Sequence, residues 1–245
     1  MVTYRLMDAT SALPSCLHGG PLPLAQYQET PATPAYVETV SDIPPGTVLR
    51  FLQAVSDRYG ACGVLALEGH MVVGKLRAYP QALMDGVPVP CVQQESTIGP
   101  ALSLDLAELP RREEMPVLRL FCIQVAADHS GHGLAGKMLD TLIAWARAEG
   151  WRELRASAIS PIPPLLNWAG QVSRAALERR GFAVTSSRFS PELREGVVSQ
   201  RGGAHGEAVR KQWEAFAHLL DDEAAQVFEM TLDLGGDGDV PAGRE

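Results

Sequence analysis

Seven consecutive residues, Ser130-Gly131-His132-Gly133-Leu134-Ala135-Gly136, stand between a continuous apolar run and a segment of helical periodicity. Backbone N–H groups in such a turn have no intrahelical partners. They converge at the positive end of the helix dipole, which favours anions. Gly131 and Gly133 carry no Cβ, so the chain can approach a bulky phosphate closely. The chemistry these residues suit is recognition of a diphosphate by main-chain amides. A glycine-rich turn without a ligand is the plain alternative. A dinucleotide site is disfavoured, because its glycine fingerprint ordinarily opens a domain and is followed by an acidic residue about 20 positions on. A Walker loop needs Ser or Thr after Gly-Lys; Lys137 follows Gly136, but Met138 comes next.

Two titratable side chains are candidates for moving a proton. Glu95 lies in the polar patch Gln93-Gln94-Glu95-Ser96-Thr97, and His129 precedes the glycine turn. An unperturbed imidazole titrates near neutrality. A surface side chain is the competing reading of each. The four cysteines, at 16, 62, 91 and 122, form no C-x-x-C pair and have no histidine at ligand spacing, so no metal site is expected. Cys62 and Cys122 sit in apolar runs and read as buried thiols rather than nucleophiles.

The elements that must position the turn are legible on either side of it. Val117–Val125, VLRLFCIQV, is apolar on both alternating faces, as a central strand covered on both sides should be. After the turn, Leu134, Met138, Leu142 and Trp145 make one helical row and Ala135, Leu139 and Ile143 another, with Gly150 placed as a C′ glycine. Trp151–Ile159 returns as a strand, so residues 117–159 form a strand–turn–helix–strand unit whose usual outcome is a right-handed parallel crossover. Upstream, a strand is expected near Thr3–Met7 and a helix over 47–59, with Val48, Phe51, Leu52, Val55 and Tyr59 as its apolar stripe. Ala61–Leu67 and Met71–Tyr79 make a hairpin across Glu68-Gly69-His70. Residues 80–116 are rich in Pro and Gly, with a short strand expected around Val87–Gln93 and a solvated loop at Glu108–Glu114. Downstream, the spacing predicts one helix over 167–180 carrying Trp168, Val172, Ala175 and Ala176 on one side. A strand over Phe182–Phe189 follows, then an amphipathic helix through Val209, Trp213, Phe216 and Leu220. A half-buried strand over Gln226–Leu234 is the last element.

The chain has 245 residues and is 46% hydrophobic, enough for one large α/β domain. Its organisation reads as an irregular segment 1–46, a domain over 47–234 with an insertion at 190–225, and a disordered tail 235–245. The net charge of −8 argues against general nucleic-acid binding and mildly favours a cationic substrate. No signal peptide and no membrane span are expected, which makes the cytoplasm the expected location.

The run Val125-Ala-Ala-Asp128-His129-Ser130-Gly131-His132-Gly133-Leu134-Ala135-Gly136 resembles the acyl-CoA motif of the GNAT N-acetyltransferase superfamily, V-x-P-E-Y-R/Q-G-x-G-x-G/A. Ala175-Ala-Leu-Glu-Arg-Arg180-Gly181-Phe182 is similar to that family's second signature, a helix ending in a Gly-Phe pair. The order of elements over roughly 47–190 agrees. The resemblance implies an α/β fold with a mixed, mostly antiparallel sheet, a splayed central strand and helices on both faces. It implies acetyl-CoA as co-substrate and transfer of a short acyl group to an amine of a small molecule or peptide. A catalytically silent acyl-CoA sensor or an interaction module is the alternative, and a homodimer is left open. By position, the amides of Gly131, His132, Gly133, Leu134 and Ala135 would hold the diphosphate, with Ser130 and Gly136 flanking them. Main chain at Ile123 and Val125 would pair with the pantetheine amides, and the Val125 N–H would polarise the thioester carbonyl. Asn167 lies three residues upstream of a helical Asn that often touches the cofactor. Ser130 replaces the usual Arg or Gln. Leu177 stands where many relatives place a Tyr general acid, and Arg119 stands where some place a basic Glu.

Overall fold

The computed structural model describes residues 1–12, 17, 20–24, 47–84, 109–203 and 207–235. Nine strands are seen among them: β1 (Val2–Leu6), β2 (Leu22–Pro23), β3 (Gly63–Glu68), β4 (Met71–Pro80), β5 (Val117–Val125), β6 (Glu153–Ile159), β7 (Val172–Ser173), β8 (Ala183–Phe189) and β9 (Gln226–Asp233). The sheet runs β1-β3-β4-β5-β6-β9-β8, with β2 on β4 and β7 on β6. All pairings are antiparallel except β5 with β6 and β6 with β7. The sheet is mixed and mostly antiparallel, as the sequence resemblance implies. The expected strand at Val87–Gln93, most of the segment 1–46 and the tail beyond Gly235 lie outside the described residues.

Helix α1 (Thr47–Tyr59) and helix α2 (Leu134–Ala148) cover opposite faces of the sheet. On one, Phe51 meets Tyr79 edge-on at 5.3 Å between ring centroids. On the other, a Cβ built at Gly74 would lie 3.0 Å from the Met138 methyl, so glycine here lets α2 settle on β4. The α1 stripe is buried at Phe51, Leu52, Val55 and Tyr59, and both rows expected for α2 are buried except at Ala135, which is half-buried. Burying each such large side chain contributes roughly 1.5–3 kcal/mol, which is why amphipathic period and fold agree here. Cys62 and Cys122 are buried thiols, as expected.

The β5–α2–β6 unit is parallel, but its pairing is short. Val117, Leu118 and Arg119 pair with Glu153, Leu154 and Arg155, and there the ladder stops. Beyond Arg119, β5 stays with β4 as far as Val125, while β6 stays with β9 as far as Ala158. The two central strands therefore splay.

The single helix expected over 167–180 is not formed. Helix α3 (Pro163–Ala169) ends at Gly170, which adopts a left-handed φ of 61°. Val172 and Ser173 then pair with Ala158 and Ile159 as β7, and Ser173 caps a new short helix, α4 (Arg174–Glu178), by accepting the Ala176 N–H. Three signals outweighed the helical period: a glycine C-cap, a β-branched Val172 and a serine N-cap.

The insertion contains a helix the sequence analysis omitted, α5 (Pro191–Gly202), begun by the Ser190 cap and Pro191 at its first turn. The expected helix through Leu220 is shorter, α6 (Glu207–Glu214). Leu220 is 67% exposed and precedes the four-residue helix α7 (Asp221–Ala224). Trp213 alone of that row is fully packed. It belongs to a second apolar cluster with Ile159, Ile162, Leu165, Leu193 and Val197, separate from the main core.

Candidate functional site

The splay opens a cleft of about 270 Å³, near the lower bound of roughly 300 Å³ for small-molecule sites. Its walls come from β5 (Ile123, Val125), the glycine turn and first residues of α2, and α3 with the strand after it (Pro163, Leu166, Asn167, Gln171, Val172, Ser173). The sequence-level candidates Ile123, Val125, His129, Ser130, Gly131, Gly133, Leu134, Ala135 and Asn167 are thus brought together on one cleft.

The turn is built as a cradle. A 3-10 turn over Ala127–His129 leads into Gly131 and Gly133, with φ values of 81° and 75°. Gly133 is the N-cap of α2. A Cβ at either glycine would meet nothing within 4 Å, so the space above both is open. Gly131, His132 and Gly133 are exposed. Among the described residues no carbonyl or side chain accepts from the N–H groups of Gly131 to Gly136, and the first helical bond of this turn is Lys137 N–H to Gly133 O at 3.2 Å. A row of unpartnered donors at a helix start, with open space before it, fits a diphosphate.

Two of the expected cradle residues lie off the cleft. His132 points to solvent, with Nδ1 3.2 Å from the His129 carbonyl. Gly136 faces the other way, towards Arg180: a Cβ there would lie 2.8 Å from its guanidinium. Arg180 in turn donates to both carboxylate oxygens of Asp140 and to the Ala176 carbonyl, tying α2 to α4.

The far end of the cleft departs from expectation. The Ile123 N–H, expected to pair with a ligand amide, donates to the Gly170 carbonyl at 2.9 Å. The Val125 N–H donates to Asn167 Oδ1 at 3.3 Å. The α3–β7 segment has entered the wedge between β5 and β6 and satisfied the donors that the splay would otherwise strand. Gly170 makes this approach possible: it needs φ of 61°, and a Cβ would lie 2.8 Å from Cys122 Sγ.

His129, expected as a base, is engaged on both ring nitrogens. Nδ1 lies 2.8 Å from Asp128 Oδ1 and Nε2 3.1 Å from Glu68 Oε2. Hydrogen bonds to Asp128 and then Glu68 raise its pKa above the ordinary 6.5. The histidine pulls both carboxyls below their ordinary values through the same bonds. A ring so held is a staple between the turn and the β3–β4 hairpin rather than a free base. Glu95 lies outside the described residues. Leu177, at the position of the family Tyr, is fully buried in the main core. Arg119 is buried too, donating to Gln81, Ser157 and Glu229, an ion-pair network across β5, β6 and β9 that sequence spacing could not reveal. No cluster able to hold a metal ion occurs among the described residues, and no helix among them is long and apolar enough to cross a membrane.

The glycines at 131, 133 and 136 do have the spacing of the dinucleotide fingerprint. What sets that reading aside is topology, because the fingerprint belongs to a mostly parallel, doubly wound sheet, and here parallel pairing is confined to β5–β6 and β6–β7.

Fold and site together define an α/β protein with a cradle of open backbone N–H groups at the carboxyl end of a splayed central strand. No family model and no curated protein matches the sequence. Among solved structures, a Salmonella typhimurium protein named as an acetyltransferase, with its cofactor acetyl-CoA, is 15% identical over 99% of each chain with a TM-score of 0.48. An N-acetyltransferase from Staphylococcus aureus Mu50 is 14% identical over 96% of this chain and 99% of that one, with a TM-score of 0.47. The ribosomal-protein-S18-alanine N-acetyltransferase from Escherichia coli is 12% identical over 99% of this chain and 100% of that one, with a TM-score of 0.45.

Proposed function

We propose that the chain binds acetyl-CoA, or another short acyl-CoA, and transfers the acyl group to an amine of a small molecule or peptide. The observation that carries this reading is the set of unpartnered amides from Gly131 to Ala135 at the mouth of the β5–β6 splay. Those amides would hold the diphosphate, and the adjoining cleft would take the pantetheine arm. Bound acyl-CoA would supply an acyl group already activated as a thioester. The chain's own residues orient it and exclude water. Leu134, Pro163, Leu166, Val172 and Ala176 give the cleft apolar walls, and placing the carbonyl against an incoming amine is the main catalytic task. The incoming amine must be neutral, and its proton must leave during attack. His129 is the one titratable group among the described cleft residues and is occupied by two carboxylates, so the proton passes to solvent or to a group such as Glu95. The net charge of −8 favours a cationic acceptor. The cytoplasm is the proposed location, with neither nucleic acid nor membrane as partner.

The second reading is an acyl-CoA-binding protein without turnover. Buried Leu177 at the Tyr position favours it. Calorimetric titration with acetyl-CoA, followed by thiol release over a panel of amines, separates the two. Binding with amine-dependent release supports the transferase. Binding without release favours the silent binder, and absence of binding removes both.

A further inference from the structure

The insertion between β8 and β9 is packed against the back of the cleft wall. Pro163, Leu166 and Asn167, spaced i, i+3, i+4 on α3, line the cleft. The other side of the same helix, through Leu165, Trp168 and Ala169, packs on the insertion's apolar cluster with Leu193, Val197 and Trp213. Within that contact the outer edge of the Trp168 indole lies against Gly196 of α5: a Cβ built on Gly196 would fall 2.1 Å from the indole Cη2 and 2.2 Å from Cζ3. With the ring in this place a Cβ at Gly196 would force it to move, and Gly196 sits inside a helix, where glycine costs roughly 0.5–1 kcal/mol relative to alanine. Helix α3 has seven residues, well under the roughly 12–15 needed for a helix to persist by itself. Its position therefore comes from what it packs on.

We infer that Gly196 and Trp168 are positioning residues through which the insertion sets the cleft wall, and with it the pantetheine half of the site. This rests on the acyl-CoA reading for its ligand, but the coupling it describes belongs to the chain itself. The cradle half, from Gly131 to Ala135, is carried by β5 and α2, whose buried side chains belong to the main core cluster and not to the insertion's. The two halves of the site thus draw on different apolar clusters.

The test is Gly196→Ala, with Gly196→Ala/Trp168→Leu as the variant that removes the clash. In Gly196→Ala, affinity for acetyl-CoA should fall roughly tenfold, as expected of substitutions along a packed coupling route. Affinity for adenosine 3′,5′-diphosphate plus inorganic pyrophosphate, as probes lacking the arm, should stay unchanged. The double variant removes the clash but also the indole contact, so it should recover only part of the acetyl-CoA affinity. Amide resonances of Ile123 and Val125 should shift in ligand-free Gly196→Ala, while those of Gly131 and Gly133 stay in place. An unshifted Val125 amide in folded Gly196→Ala overturns the inference, as does an equal loss for every probe. If Gly196→Ala does not fold, Trp168→Leu replaces it in the same resonance comparison, with the same reading. Wild-type protein that ignores acetyl-CoA removes the proposed function, and the resonance comparison still decides the coupling.

Discussion

Asn167 Oδ1 accepts the backbone N–H of Val125 at 3.3 Å, so a helix side chain occupies the donor at the end of the splayed strand. A ligand carbonyl using that donor must displace the carboxamide. Asn167→Ala should therefore raise acyl-CoA affinity several-fold while lowering ligand-free stability by about 1 kcal/mol, the cost of one lost hydrogen bond. Calorimetry and thermal melts on the same preparation check both halves. A drop in affinity would show that the carboxamide serves the ligand instead of competing with it.

Gly131 and Gly133 can be tested with a negative charge. Gly131→Glu or Gly133→Asp places a carboxylate in the open space above the cradle. Like charges about 4 Å apart repel by roughly 4 kcal/mol near a protein surface, so acetyl-CoA binding should be lost by more than about a hundredfold. The left-handed backbone adds a stability cost of roughly 1–2 kcal/mol. Circular dichroism should still report a folded chain.

The His129 staple gives a pH dependence of definite sign. His129 is raised above 6.5 by its carboxylate partners, so its contribution to holding the turn is complete below that value. It is lost as pH rises through the shifted pKa. Glu68 and Asp128 are lowered from 4.5 and 3.8 by the histidine, so their share is present above those values and fades only as the solution becomes more acid. The staple is strongest between the two limits. An NMR titration should find the His129 midpoint above 6.5, moving back towards it in Glu68→Gln.

Leu177 reads as core rather than as an altered catalytic position. With the side chain fully buried, Leu177→Ala should cost roughly 2–5 kcal/mol by transfer loss and cavity formation. Leu177→Tyr should overpack the site and destabilise it without raising thiol release. Denaturant melts and the release assay measure these outcomes, and a faster Leu177→Tyr would mean the ring reaches the cleft after all.

Periodicity and turn chemistry were enough to delimit β5, α2 and the hairpin, because each buries a face whose repeat matches its own geometry and lies between glycines or polar turns. The cradle followed from the same local facts, since donors at a helix start are unpaired whatever the rest of the chain does. Periodicity alone did not settle where α3 ends, because Trp168, Val172, Ala175 and Ala176 satisfy a helical repeat that runs across Gly170. The closure of the Ile123 and Val125 donors, the engagement of His129 by Glu68, the Arg119 network and the seat of Trp168 on Gly196 are all contacts between residues far apart in the chain or on separate elements. Only packing brings such residues together, so tertiary structure alone decided which backbone donors stay open to a ligand and which the protein keeps for itself.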